Sequence, residues 1–248
     1  MPVPQQSIGL LARSVQPLIF ETGVKETPYS STLGTVFLVG YEGRPYVITA
    51  RHALQPDNLM PICVFSSDTS HWLIPLEDVF YVPRSLEDED FVDFAVIAID
   101  RRGIAHREVA VATLVDLALS CGEWKRYANE AQFFVIGYPG ERSTLNYETQ
   151  EFRSNREVLF GHYGGLSPQP YVHLLRISDS RLLKTFGGFS GAPVFAWIER
   201  PMERPTPVLC GMVLCGTPVS GLVRFLDRDV LLDALSVKRQ LEPQVPKE

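Results

Sequence analysis

Short runs of apolar, β-branched and aromatic residues recur along the chain, each cut off by Gly, Pro, Asp or Asn, and this is the pattern of strands rather than of long helices. GTVFLVG at 34–40 and RPYVITA at 44–50 flank Tyr41, Glu42 and Gly43, a three-residue connection ending in glycine that suits a hairpin. HWLIPL (71–76), FYVP (80–83) and FAVIAI (94–99) continue the series and complete a strand-rich first half. Residues from about 110 to 128 predict a helical crossover. The strand pattern then resumes with AQFFVIGYPG, REVLFGHYGG, YVHLLRIS, GAPVFAWI and PVLCGMVLCG. Asp227 reads as the cap of an amphipathic helix running towards Leu241, after which EPQVPKE should fray. The expectation is an all-β protein of two packed six-stranded β-barrels with a C-terminal helix. The halves span 1–118 and 119–248 of one domain, and any cleft lies between them.

Composition narrows the function. The chain has 248 residues, 45% of them hydrophobic, enough to bury a large core. A net charge of −6 and a pI near 5.5, with no block of Lys and Arg, argue against nucleic acid as a partner. The first twenty residues lack the basic start and long apolar run of a secretory signal, and no segment is long and apolar enough to span a membrane, so a cytoplasmic protein is expected. Cys63, Cys121, Cys210 and Cys215 form no CxxC pair and no regular spacing, so free thiols are expected, with no metal and no cofactor. The acidic run Glu87, Asp88, Glu89, Asp90 does not have the spacing of a calcium loop and reads as a solvated face.

The candidate chemistry centres on GGFSGAPVF at 187–195. Glycines beside Ser190 permit positive φ and close backbone approach, which a tight turn and an oxyanion site both need. Taken alone, the stretch is a turn entering a strand. A nucleophilic serine needs a base and an acid that orients it. All five histidines precede Ser190, an order that disfavours an α/β-hydrolase elbow. His52 directly follows the strand YVITA and Arg51, where a side chain is held rigidly and still faces a cleft; without Ser190 it reads as a surface histidine capping HALQPD. His71, His106, His162 and His173 sit in turns or strands where packing or exposure explains them. Asp93, between Phe91, Val92, Phe94 and Ala95, is a carboxylate that needs a partner.

Taken in order, GTVFLV, VITARHAL, DFAVIAID, GFSGAPVF and CGMVLCG resemble the sequence blocks of trypsin/chymotrypsin-like serine proteases, especially intracellular bacterial members that carry TARH. The resemblance covers roughly residues 30 to 225. It implies a serine endopeptidase with His52 as base and then acid, Asp93 as its orienter and Ser190 as the acyl-forming nucleophile. It further implies an oxyanion hole from the Gly188 and Ser190 amides, and a substrate-binding region at Lys184, Thr185, Leu214, Cys215 and Gly216. Three departures stand out. Phe189 occupies the place where secreted members carry an acid that binds a new N-terminus, so it is expected to pack into the second barrel and hold the oxyanion loop, permanently or once a partner or substrate binds. Lys184 falls at the base of the specificity pocket and would favour an acidic or polar side chain, unless it points to solvent. Cys215 replaces an aromatic. A protein or peptide substrate is expected, and so is latency relieved by substrate or by an activating protein partner. The rival readings are a non-catalytic peptide-binding module on the same fold and an acyl-transferring esterase.

Overall fold

The computed structural model describes residues 3–26, 29–54, 61–66, 73–81, 93–100, 114–117, 123–146, 148, 151–178 and 183–242. His71, His106, Cys121, the acidic run 87–90 and parts of the 110–128 crossover fall outside these.

The first half opens with helix α1 (Gln5–Ala12). Its strands are β1 (Val15–Glu21), β2 (Tyr29–Tyr41), β3 (Arg44–Ala50), β4 (Ile62–Cys63), β5 (Leu76–Tyr81), β6 (Phe94–Ile99) and β7 (Val115–Asp116). They form one seven-stranded sheet ordered β4-β1-β2-β3-β6-β5, with β7 parallel on β2. The β2–β3 hairpin turns on two residues rather than three, because Tyr41 pairs with Arg44. Both turn residues take positive φ, 46° at Glu42 and 72° at Gly43, which matches the twist of the flanking strands.

The second half holds α2 (Trp124–Tyr127), β8 (Gln132–Gly137), β9 (Ser143–Asn146), β10 (Glu151–Ser154), β11 (Glu157–Leu166), β12 (Val172–Ile177), β13 (Pro193–Ile198), β14 (Thr206–Thr217), β15 (Leu222–Asp227) and α3 (Arg228–Leu241). Of the described part of the expected crossover, Trp124–Tyr127 (α2) is helical and Val115–Asp116 is strand. Strands β11-β12-β15-β14-β13-β8 close into a six-stranded barrel, while β9 and β10 make a separate ribbon. The architecture is a chymotrypsin-like double barrel with a C-terminal helix.

The barrel strands read as continuous apolar runs because both of their faces are covered. In β8, Phe133 and Val135 enter the barrel interior with Trp124, Phe189 and Phe225. Phe134 and Ile136 face outward, into a core shared with Val36, Val47 and Ile97 of the first half. Period-2 alternation therefore sorts residues between two cores rather than between core and water.

Candidate active site

His52 is separated from the end of β3 by one residue, Arg51, and lies in a short 3₁₀ turn (His52–Leu54), and Asp93 directly precedes β6, the strand paired with β3. Adjacent strands thus bring the two together. The Asp93 carboxylate accepts the His52 backbone N–H at 3.0 Å and meets Nδ1 at 2.5 Å. With Nδ1 donating to Asp93, the tautomer this network assigns leaves Nε2 as an acceptor. The His52 side chain is 48% exposed, so Nε2 can be reached from outside, whereas that of Asp93 is 18% exposed.

Ser190 lies on the turn before β13. Its Oγ donates to the Leu214 carbonyl at 3.0 Å, and among the described residues no hydrogen bond joins it to His52. His52 and Asp93 are therefore joined to each other, and Ser190 is held on β14.

The backbone of the serine turn is almost fully engaged. The Gly187 carbonyl accepts the Gly140 N–H at 2.9 Å, the Phe189 carbonyl the Ala192 N–H at 2.9 Å, and the Ser190 carbonyl the Thr35 N–H at 2.9 Å. The Gly188 carbonyl accepts the Thr35 hydroxyl at 2.6 Å. Phe189 N–H donates to Phe186 at 3.1 Å, Gly191 N–H to Val213 at 2.9 Å, and Gly187 N–H to the Thr185 hydroxyl at 2.9 Å. Among the described residues, the N–H groups of Gly188 and Ser190 donate to nothing. Among the described residues no peptide bond is cis, so the Gly188 N–H points away from the Gly187 carbonyl that Gly140 holds. Gly188 has φ +96°, and a Cβ there would lie 2.2 Å from the Tyr138 carbonyl oxygen, so only glycine fits.

Phe189 is buried in the second barrel, edge-on to Phe186 at 6.4 Å between ring centroids. Gly137 makes the space: a Cβ on it would lie 2.6 Å from the Phe189 ring.

The other substrate-region residues flank this turn. Lys184 and Thr185 are exposed, and the Lys184 N–H donates to the Glu141 carboxylate, 3.2 Å from Oε2. The side chains beside Gly216 are those of Phe186 and Val223, whose Cδ2 and Cγ2 each lie 2.9 Å from where a Gly216 Cβ would sit. Leu214, Cys215 and Gly216 form the end of β14. Beyond Met212, which pairs with Pro193, this end pairs with β15 but no longer with β13. Thr35, Phe186 and the Leu214 carbonyl were not singled out from sequence, where backbone acceptors and ordinary core residues leave no signal.

Among the described residues, no group of three or more His, Cys, Asp or Glu is placed to hold a metal ion, and no helix is long and apolar enough to cross a membrane. No protein-family model and no curated protein matches the chain. Solved structures do match. The thermostable serine protease AL20 from an extremophilic microorganism aligns over 93% of this chain and 99% of its own, with a TM-score of 0.57 at 12% identity. An inactive form of Rv3671c from M. tuberculosis H37Rv, carrying a serine-to-alanine mutation, aligns over 99% and 98%, with a TM-score of 0.51 at 14% identity. A structure from a study of the coupled folding and binding of the intrinsically disordered Sesbania mosaic virus VPg protein aligns over 90% of both chains, with a TM-score of 0.50 at 15% identity.

Proposed function

We propose that this chain, whose fold is that of the trypsin-like serine proteases, is a serine endopeptidase acting through Ser190, His52 and Asp93. The observation that carries the reading is the backbone accounting at the serine turn: among the described residues, its two amides without acceptors are that of the candidate nucleophile Ser190 itself and that of Gly188, two residues before it. Unengaged amides in a pinned loop suit an anion that forms only during reaction, because they need no reorganisation when it appears.

The chemistry follows from these groups. A peptide paired along Leu214–Gly216 as an added strand brings its own N–H to the Leu214 carbonyl and displaces the Ser190 hydroxyl. The freed Oγ–H gives its proton to His52 Nε2 as Oγ bonds to the substrate carbonyl carbon, and the oxygen, now anionic, takes the Gly188 and Ser190 N–H groups. His52 returns the proton to the leaving amine as the C–N bond breaks, and water then hydrolyses the acyl-enzyme by the same route. On this account the resting protein is latent through the orientation of its hydroxyl rather than through a disordered loop. Substrate relieves it directly, and an activating protein partner that engages the same edge of β14 would do the same. Lys184 and Thr185 are proposed to contact substrate at the exposed rim. Cys63, Cys210 and Cys215 are free thiols, which supports a reducing compartment such as the bacterial cytoplasm.

A second reading, a peptide-binding module that does not turn over, draws on the hydrogen bond between Ser190 and Leu214. A fluorophosphonate probe with mass spectrometry separates the two. The protease reading expects an adduct on Ser190 of the wild type, none in Ser190→Ala, and a loss of about 10⁴-fold in kcat for that variant. A wild type that neither labels nor cleaves, with or without peptide present, leaves the binding module.

A further inference from the structure

One side chain of the first half is buried against the serine turn. Thr35, in β2, has no exposed surface. Its hydroxyl donates to the Gly188 carbonyl at 2.6 Å and accepts the Tyr138 N–H at 3.0 Å, while its own N–H donates to the Ser190 carbonyl at 2.9 Å. The Thr35 carbonyl is engaged in turn by the Thr49 hydroxyl at 2.8 Å. We propose that Thr35 is a positioning residue for the anion site, holding the Gly188–Phe189 peptide from across the barrel interface so that the Gly188 carbonyl stays turned away from the reacting oxygen. This rests on the serine-nucleophile reading above and deepens it.

The argument turns on how soft the backbone is at Gly188. A glycine at φ +96° has few steric barriers of its own, so the peptide planes on either side of it can turn over unless their carbonyls are held. Gly140 holds the one before it, and the Thr35 hydroxyl holds the one after it. A carbonyl that turned inward would place an acceptor where the anion must form. The hydroxyl is suited to the place because it donates and accepts at once, tying the loop to the residue that follows β8. Valine has the same shape and neither capacity, so it removes the donor to the buried Gly188 carbonyl and the acceptor of the Tyr138 N–H. Serine keeps both.

The test compares wild type, Thr35→Val and Thr35→Ser, with circular dichroism to confirm folding; if Thr35→Val does not fold, Thr35→Ala makes the same comparison. Thr35→Val is expected to lower kcat about 10- to 100-fold with KM within about two-fold, since binding along β14 is untouched. Hydrogen exchange at Phe189, Gly191 and Ala192 is expected to rise by about ten-fold or more, and Thr35→Ser to stay near wild type in both measurements. A folded Thr35→Val with unchanged exchange at these amides, or with unchanged kcat in an active enzyme, overturns the proposal. A wild type without turnover whose loop nonetheless loosens in Thr35→Val removes the protease reading and leaves the clamp standing.

Discussion

Phe189 holds the serine turn with a buried ring rather than with a charge. A buried ion pair depends on geometry and on a second group, whereas a ring is held by close packing on all sides. Truncation to Phe189→Ala should therefore cost about 3–5 kcal/mol of stability and loosen the turn with it. Gly137 supplies a sharper test, because the 2.6 Å approach of its would-be Cβ to the Phe189 ring makes the two positions compete for one volume. Gly137→Ala alone should destabilise by about 1–3 kcal/mol through overpacking, yet cost far less in the Phe189→Ala background. Urea unfolding of the four proteins of this cycle measures the coupling, and additive losses would show that the ring and the glycine do not share the space. At this scale the sequence marked side chains but not backbone partners. Ser190, His52 and Asp93 could be singled out because a hydroxyl, an imidazole and a carboxylate carry their chemistry in their identity. The Leu214 carbonyl that receives Ser190 Oγ is a property of chain path, and leucine says nothing about it.

Elements were legible where period and punctuation agreed, as in the β2–β3 hairpin and in Asp227 before α3. The Asp227 carboxylate accepts the Asp229 N–H at 3.0 Å and caps the helix as its position suggested. What sequence did not show is the rest of its surroundings. His173 Nε2 lies 2.8 Å and Lys125 Nζ 2.6 Å from Asp227, and the Tyr163 hydroxyl bonds the other His173 nitrogen at 2.9 Å. These partners come from β12, α2 and β11, too far apart in sequence for any local pattern to join them. Burial would raise the Asp227 carboxyl, but hydrogen bonds from His173, the Asp229 amide and Lys125 outweigh it and hold the group below its ordinary 3.8. A carboxyl lowered in the folded state binds protons more weakly there than in the unfolded chain. Its contribution to stability is therefore complete above its ordinary value and fades as pH falls through the lower folded value. Asp227→Asn should accordingly be less stable than wild type at pH 6, and the gap should narrow progressively below about pH 4. Denaturant midpoints measured across that range check this, and a gap that stays constant would assign the loss to the lost cap geometry alone.

Helix α3 belongs in sequence to the second half and in space to both. Arg228, Leu231, Ala234 and Leu235 bury one face of it, and Leu231 and Leu235 join the core that also contains Val36, Ile97 and Phe134. Just past its end, Glu242 is buried against Arg44 and accepts from the Tyr46 hydroxyl at 3.2 Å, both on β3. At the other end, Arg228 donates to the Leu117 carbonyl at 2.9 Å. The sequence suggested two packed halves of one domain because its strand runs fall into two groups, but apolar periodicity does not say which core a face enters. A shared core and a strap across it make separate melting of the halves costly, since either half alone would expose the apolar surface that the other covers. Glu242→Ala leaves the half-buried Arg44 and the buried Tyr46 hydroxyl without their carboxylate and should lower stability by about 3–5 kcal/mol. The shift should appear equally in the whole molecule: in a Trp72→Phe background, emission comes from Trp124 and Trp197 of the second half, while far-UV circular dichroism samples every strand. Coincident urea transitions that move together in Glu242→Ala would establish one cooperative unit. A dichroism transition that separates and precedes the fluorescence would mean that α3 straps the halves without coupling their folding, and that the serine turn could lose the Thr35 side of its support while the second barrel stays closed.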